Sequence, residues 1–247
     1  RTLDIGGDKN LPSLNLETEM NPFLGLRGIR LCLKNKTVFT TQLRALYRAS
    51  VHGQLKIMFP MISSLEEYRA AVKCAEEVRA QLIEEGHPVS GHVPIGIMVE
   101  VPSTAIMTDL FAKEVDFVSI GTNDLTQYTL AVDRMNEQIS HLYTPFHPAV
   151  LRLIKMVIAQ ARDGGIEVSM CGEMAGDPRF TSLLIGLGLE SFSMSPSALL
   201  AVKKQVRAAK STTAKALAQK VLALPTAEEI RAALENAEER SDSACES

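Results

Sequence analysis

Apolar positions along the chain follow two alternating periods. Short runs, partly β-branched and bounded by turn residues, occur at Thr2–Ile5, Leu55–Phe59, Ile95–Val99, Phe117–Ile120, Glu167–Met170 and Ser191–Met194. Each reads as a buried strand. Between them apolar residues recur at helical spacing. After Ser63 and Ser64 the stripe is Tyr68, Ala71, Val72, Ala75, Val78 and Leu82, ending near Gly86. Pro102 starts a helix with Ile106, Met107 and Leu110 on one face. His147-Pro148 opens another, Val150 to Ala161, which ends at Gly164-Gly165, and Asp177-Pro178 and Ser195-Pro196 are further starts. Strands alternating with helices predict βα units around a parallel sheet.

A (β/α)8 barrel needs eight strands, and these six runs leave it two short. Six strands could instead form an open doubly wound sheet, yet no G-x-G-x-x-G turn follows the first. Gly6-Gly7 and Gly186-x-Gly188 lack that spacing. Beyond Ser195 the pattern is helical alone, over Leu199 to Val206 and Ala214 to Leu224. Thr226 and Glu229 then form a capping box for a last helix to about Ala237. The simplest division is one domain over residues 1–240 and a polar tail, Ser241–Ser247, expected to be disordered.

The strand ends concentrate the chemistry. The run Phe117–Ile120 stops at Gly121, and Thr122, Asn123 and Asp124 follow at once. Taken alone this is an ordinary βα turn with Asp124 capping the next helix. Glu100, however, ends the preceding strand in the same way. If the two strands are neighbours, their ends lie roughly 5 Å apart. Two carboxylates that close repel unless one is protonated or a cation lies between them. Mg2+ suits the second case, because it commonly takes one or two carboxylates and completes its shell with water and phosphate. The alternative is that Glu100 merely favours the dipole of the helix opened by Pro102. Cys171 ends another strand beside Gly172. It reads as a small buried apolar residue, or as a thiol that is protonated at neutral pH and can deliver a proton to carbon. Arg1, Arg27, Arg30, Arg44 and Arg134 recur near strand ends and first turns, and arginine suits phosphate and carboxylate. His52, His87, His92, His141 and His147 show no metal-ligand spacing, and His147 reads as a helix cap. No nucleophile elbow is present.

Composition narrows the setting. The 247 residues are 46% hydrophobic and 22% charged, with a net charge of -3, which fits a soluble globular protein and gives no basic stripe for nucleic acid. No apolar run reaches membrane-spanning length and no signal peptide opens the chain. Cys32, Cys74, Cys171 and Cys245 lack motif spacing, which points to a reducing, cytoplasmic compartment without disulfides. The chain opens on Arg1 rather than Met, which leads us to expect a piece of something longer.

Four segments carry a resemblance: Arg1-Thr-Leu-Asp-Ile-Gly-Gly-Asp-Lys9, Asn21-Pro-Phe-Leu-Gly-Leu-Arg-Gly-Ile-Arg30, Ser119-Ile-Gly-Thr-Asn-Asp-Leu-Thr-Gln-Tyr128 and Met170-Cys-Gly-Glu-Met-Ala-Gly-Asp177. Up to about Arg207 the chain resembles the C-terminal domain of the enzyme I family, the phosphoenolpyruvate–protein phosphotransferases of bacterial sugar transport. The resemblance implies a homodimeric (β/α)8 barrel binding phosphoenolpyruvate and Mg2+ at its C-terminal face. It implies that Glu100 and Asp124 are the metal ligands and that Arg1, Arg27 and Arg134 hold phosphate and carboxylate. Asn123 would contact the substrate, and Cys171 would protonate the enolpyruvate carbon to give pyruvate. Leu26 stands where the family usually has tryptophan. Two family strands and a further arginine are expected upstream of Arg1. So is the domain bearing the phosphorylated histidine, since no histidine here sits in such a context. The rivals are the barrel of a pyruvate phosphate dikinase or phosphoenolpyruvate synthase, and a non-catalytic module that binds phosphoenolpyruvate or dimerises.

Overall fold

Five of the six predicted runs become strands in the computed structural model, which describes residues 1–6 and 19–243. They are β1 (Ile57–Phe59), β2 (Ile95–Val99), β3 (Phe117–Gly121), β4 (Glu167–Cys171) and β5 (Ser191–Phe192). All four pairings are parallel, and the spatial order β1-β2-β3-β4-β5 is the sequence order. A doubly wound sheet reverses its order at a switch point, and this one does not. The sheet is a singly wound arc of the kind a (β/α) barrel contains. Along β3 every residue is buried, as expected of a parallel strand covered on both faces.

Thr2–Ile5 is the exception, so the expected count of six strands falls to five among the described residues. Its hydrogen-bonding groups go elsewhere. Thr2 N–H reaches Met58 O of β1 at 2.9 Å, but Leu3 N–H donates to the Gln42 side chain and Ile5 O accepts from Gly28 N. A ladder cannot form where the neighbouring backbone groups, one donor and one acceptor, are committed to a side chain and a loop.

The helices follow local signals. Helices α1 (Ile29–Lys34) and α2 (Lys36–Ala49) divide at Asn35, whose side chain accepts from Val38 N. Next comes α3 (Leu65–Glu84), started by Ser64, with Tyr68, Ala71, Ala75, Val78 and Leu82 buried as the stripe predicts. Pro102 opens α4 (Pro102–Ile106), continued by α5 (Thr108–Phe111), and α6 (Thr122–Leu130) follows β3 without a connecting loop. His147 Nδ1 accepts from Ala149 N and so caps α7 (Pro148–Asp163). The short α8 (Glu173–Gly176) leads to α9 (Pro178–Leu187), capped by Asp177 and closed by Gly188 in the left-handed region at φ 101°. Then α10 (Pro196–Ala208) and α11 (Ser211–Ala223) precede α12 (Ala227–Ser243), whose start is marked by Glu229 N–H on Thr226 Oγ1. The last helix thus runs past the expected tail boundary at Ser241. Residues 244–247, Cys245 and the Gly7-Asp8-Lys9 part of the first motif lie outside the described residues.

Packing holds the strand ends in place. Phe39, Phe59, Tyr68 and Phe111 form a chain of tilted and edge-on rings from α2 across β1 to α5, with centroids 5.9, 6.4 and 6.5 Å apart. Such contacts add to the burial of each ring. Truncating fully buried Phe59 to alanine would cost about 3–5 kcal/mol.

Candidate active site at the carboxyl ends of the strands

Glu100 follows β2 directly and is 1% exposed. Its Oε1 accepts from Met61 N at 2.7 Å, and Met61 itself holds a left-handed backbone at φ 58°. A Cβ on Gly121 would stand 2.9 Å from Glu100 Oε2, so glycine at the end of β3 makes room for this carboxylate. Burial, and then the negative charges of Asp124 and Asp4, push the Glu100 carboxyl up to about 8. At neutral pH it keeps its proton unless a cation takes the proton's place.

Asp124 lies in the first turn of α6, where the helix dipole favours a carboxylate. It does not cap that helix: the N-cap position is Gly121. Instead it receives Arg27, from the loop before α1, in a two-pronged ion pair with Nη1 to Oδ1 at 3.1 Å and Nη2 to Oδ2 at 3.0 Å. Arg27 grips Asp4 as well, Nε to Oδ1 at 3.2 Å and Nη2 to Oδ2 at 3.3 Å, and gives its remaining Nη1 hydrogen to Tyr128 Oη at 3.2 Å. A guanidinium has five N–H donors, and here all five are used. Burial alone would lower the Arg27 pKa, but hydrogen bonds and charge from Asp124 and Asp4 outweigh it and the net shift is upward. Tyr128 stands one helical turn after Asp124 and its hydroxyl donates to Phe23 O. Arg1 completes the group, with Nη1 3.6 Å from Asp4 Oδ2 and 3.6 Å from Met98 Sδ.

Cys171 closes β4, in register with Gly121 across the sheet. Burial raises its thiol pKa and the Ser119 hydroxyl opposes that. Glu100 adds to the rise, Arg1 reduces it and Asp124 adds a little more. Cys171 is therefore a protonated thiol electrostatically coupled to the carboxylate cluster. Gly172 follows at φ 95°, and a Cβ there would collide with Thr122 Oγ1 and stand 3.0 Å from Asn123 Oδ1. That close approach lets Thr122 Oγ1 donate to Cys171 O at 3.1 Å and Asn123 Oδ1 accept from Glu173 N at 3.1 Å. A cleft of about 540 Å3 opens beside them, lined by Asn123, Cys171, Glu173, Asp177, Ser193 and Met194 among others.

Arg134 sits in the loop after α6. Its backbone N–H donates to Gln127 Oε1 at 3.0 Å, while its Nη1 is buried and has no hydrogen-bond partner among the described residues. Tyr143, farther along the same loop, donates to Asn123 O at 3.3 Å. Its hydroxyl pKa is raised by burial first and then by Glu173, against the charge of Arg134. Arg134 and Asn123 thereby share one neighbourhood. Arg30 and Arg44 are drawn elsewhere, to ion pairs with Glu67 and Glu85.

Residues 1–211 match the family model described as PEP-utilising enzyme, PEP-binding domain. The chain belongs to the PEP-utilising enzyme family. Among its relatives, the phosphoenolpyruvate-protein phosphotransferase of Priestia megaterium is 56% identical over 230 residues, and the proteins of that name from Bacillus subtilis (strain 168) and Staphylococcus carnosus (strain TM300) are each 54% identical. Each alignment takes in 93% of this chain and 40% of the relative, so the chain spans about two fifths of the length of the curated relatives it matches. A citrate lyase from Burkholderia xenovorans LB400 shares the fold, with a TM-score of 0.51 at 18% identity over 81% of this chain and 68% of that one.

In this PEP-utilising domain three contributors escaped the sequence reading. Asp4 is a carboxylate inside an otherwise apolar run, a placement that makes sense only with a buried partner, and that was a usable signal. Tyr128, four residues after Asp124 on one helix face, was findable too. The Met61 N–H that holds Glu100 carries no side-chain signature at all. Among the described residues no set of three His, Cys, Asp or Glu side chains is arranged to hold a metal, and Glu100 and Asp124 remain a pair.

Proposed function

We propose that this domain binds phosphoenolpyruvate with Mg2+ and catalyses transfer of its phosphoryl group to a histidine, releasing pyruvate, as the first step of sugar phosphotransferase transport. The observation that carries the proposal is the charge pattern at the ends of β2 and β3. Asp4 and Asp124 share one saturated arginine and Glu100 feels the charge of both, while Arg134 Nη1 is a buried donor without an acceptor among the described residues. The first feature calls for a further cation, the second for an anion. A magnesium phosphoenolpyruvate complex supplies both.

Glu100 and Asp124 fit Mg2+ by their hard oxygen donors and by their number, since this ion keeps most of its shell for water and substrate phosphate. Held there by Glu100 and Asp124, the ion would supply positive charge against the phosphoryl oxygens. Arg1, whose side chain is 38% exposed, and Arg134, with its buried unpartnered Nη1, would hold phosphate and carboxylate. Arg27 has no donor to spare in this arrangement. It grips both Asp124 and Asp4, and a direct substrate contact would require it to release one of them. Asn123 lines the cleft beside Cys171. As the phosphoryl group departs, the enolate carbon takes the Cys171 proton to become the pyruvate methyl group, and the thiolate left behind is reprotonated from solvent. None of the five histidines, all within the described residues, lines the cleft, so the acceptor comes from another domain or protein. Cytoplasmic location and a homodimer belong to the same reading. No described helix is long and apolar enough to cross a membrane.

Titration with phosphoenolpyruvate, with and without Mg2+, tests the proposal. Binding should need the metal and should be lost in Asp124→Ala. Metal-independent binding, or binding untouched by Asp124→Ala, would refute it.

A further inference from the structure

Two buried side-chain donors, without hydrogen-bond partners among the described residues, belong to residues that are joined to each other. They are Gln127 Nε2 and Arg134 Nη1, linked through the hydrogen bond from Arg134 N to Gln127 Oε1. Gln127 is 3% exposed and lies in the last turn but one of α6. The helix ends there in an unusual way. Ala131 adopts the left-handed conformation, φ 54° and ψ 40°, which a non-glycine residue enters at some cost and holds only when its surroundings impose it. The constraint comes from one residue. Ala131 N–H and Val132 N–H both donate to the backbone carbonyl of Gln127, and Arg134 N–H donates to its side chain. Three of the four amides of residues 131–134 therefore converge on Gln127.

We infer that Gln127 is the positioning residue for Arg134: its buried amide fixes the loop so that the arginine presents its unpaired donor to the anionic substrate. The inference rests on the reading that Arg134 binds an acidic group of phosphoenolpyruvate. Gln127 does not touch substrate in this account. The backbone carbonyl would hold the first half of the loop in any variant, so the side chain decides the second half, where Arg134 is.

The test uses the full-length protein and two variants of matched length. Gln127→Met removes the acceptor, whereas Gln127→Glu keeps an oxygen for the Arg134 amide. With Met, KM for phosphoenolpyruvate should rise about tenfold, the worth of one buried hydrogen bond, with kcat within about twofold. With Glu, KM should stay within about threefold of wild type. Adding Gln127→Met to Arg134→Ala should change KM no further, because the first residue acts through the second. Amide hydrogen exchange over residues 131–134, read without substrate, should quicken in the Met variant and not in the Glu variant. Equal KM shifts in Met and Glu, a full Met effect on the Arg134→Ala background, or unchanged exchange would each overturn the inference. Wild-type protein that ignores phosphoenolpyruvate would refute the functional reading. The exchange arm would then still show whether Gln127 holds the loop.

Discussion

The two ends of one sheet carry similar ion pairs to opposite effect. At the amino ends, Lys56 pairs with Glu167 and lies over the Phe117 ring at 5.2 Å, with the two charged side chains 49% and 53% exposed. At the carboxyl ends, Arg27 and Asp4 are each 1% exposed and Asp124 11%. Exposed pairs are worth about 0–1 kcal/mol, since water serves each partner nearly as well. A buried pair brings little net stability, yet removing one partner strands a charge in low dielectric. The amino ends can vary freely, while at the carboxyl ends every member depends on the others. Stability there is traded for charges held ready for a ligand.

The largest expected effect falls on chemistry alone. In a protein that also carries the acceptor histidine, Cys171→Ala should reduce turnover on the order of 10²- to 10⁴-fold and leave phosphoenolpyruvate and Mg2+ binding intact. Deuterium entry into the pyruvate methyl group in heavy water reports the step. Wild-type labelling in the variant would make Cys171 a packing residue.

Next comes the buried cluster itself. Arg27→Met should destabilise the domain by about 3–5 kcal/mol at neutral pH, because Asp4 and Asp124 lose their shared cation. Denaturant midpoints of the variant and the wild type report that loss. A loss under 1 kcal/mol would mean the cluster is wetter than the structure shows.

A smaller effect concerns the one proton the cluster keeps. Glu100 titrates near 8 in the native protein against an ordinary value of 4.5. Below 4.5 it is neutral in both folded and unfolded chains. Between 4.5 and 8 only the unfolded chain ionises, so metal-free stability falls by a few kcal/mol at most across that window and levels off above it. Glu100→Gln should flatten the fall in urea midpoints. In the wild type, Mg2+ affinity should climb with pH up to about 8 and then plateau, because the metal must displace the proton.

Last, Lys56→Met at the amino ends should change stability by less than about 1 kcal/mol. A larger loss, measured beside Arg27→Met, would erase the contrast between the two ends.

Much of this was legible in the residues because strand ends and helix starts carry local signals. Glu100, Asp124 and Cys171 could be placed at strand ends from the apolar runs before them, and Ser64, His147 and Asp177 announced their helices. What escaped depends on partners distant in sequence. Thr2–Ile5 has the composition of a strand, but Gln42 and Gly28 take its hydrogen bonds. Helices α1 and α2 were not anticipated, because their apolar stripe breaks at Asn35. That Arg27 would face two carboxylates rather than open solvent followed from Asp4 and Asp124 arriving 23 and 97 residues away.

The tight approach of Gly172 to Thr122 and Asn123 bears on anyone who wishes to rebuild this domain. The first turn of α6 and the turn after β4 behave as a single machined part, with no clearance at their junction. A library that randomises position 172 should return glycine almost alone. A graft that transplants one of the two segments from a relative will misalign Asn123 and Cys171 unless the other travels with it. New specificities are better sought by exchanging both segments together.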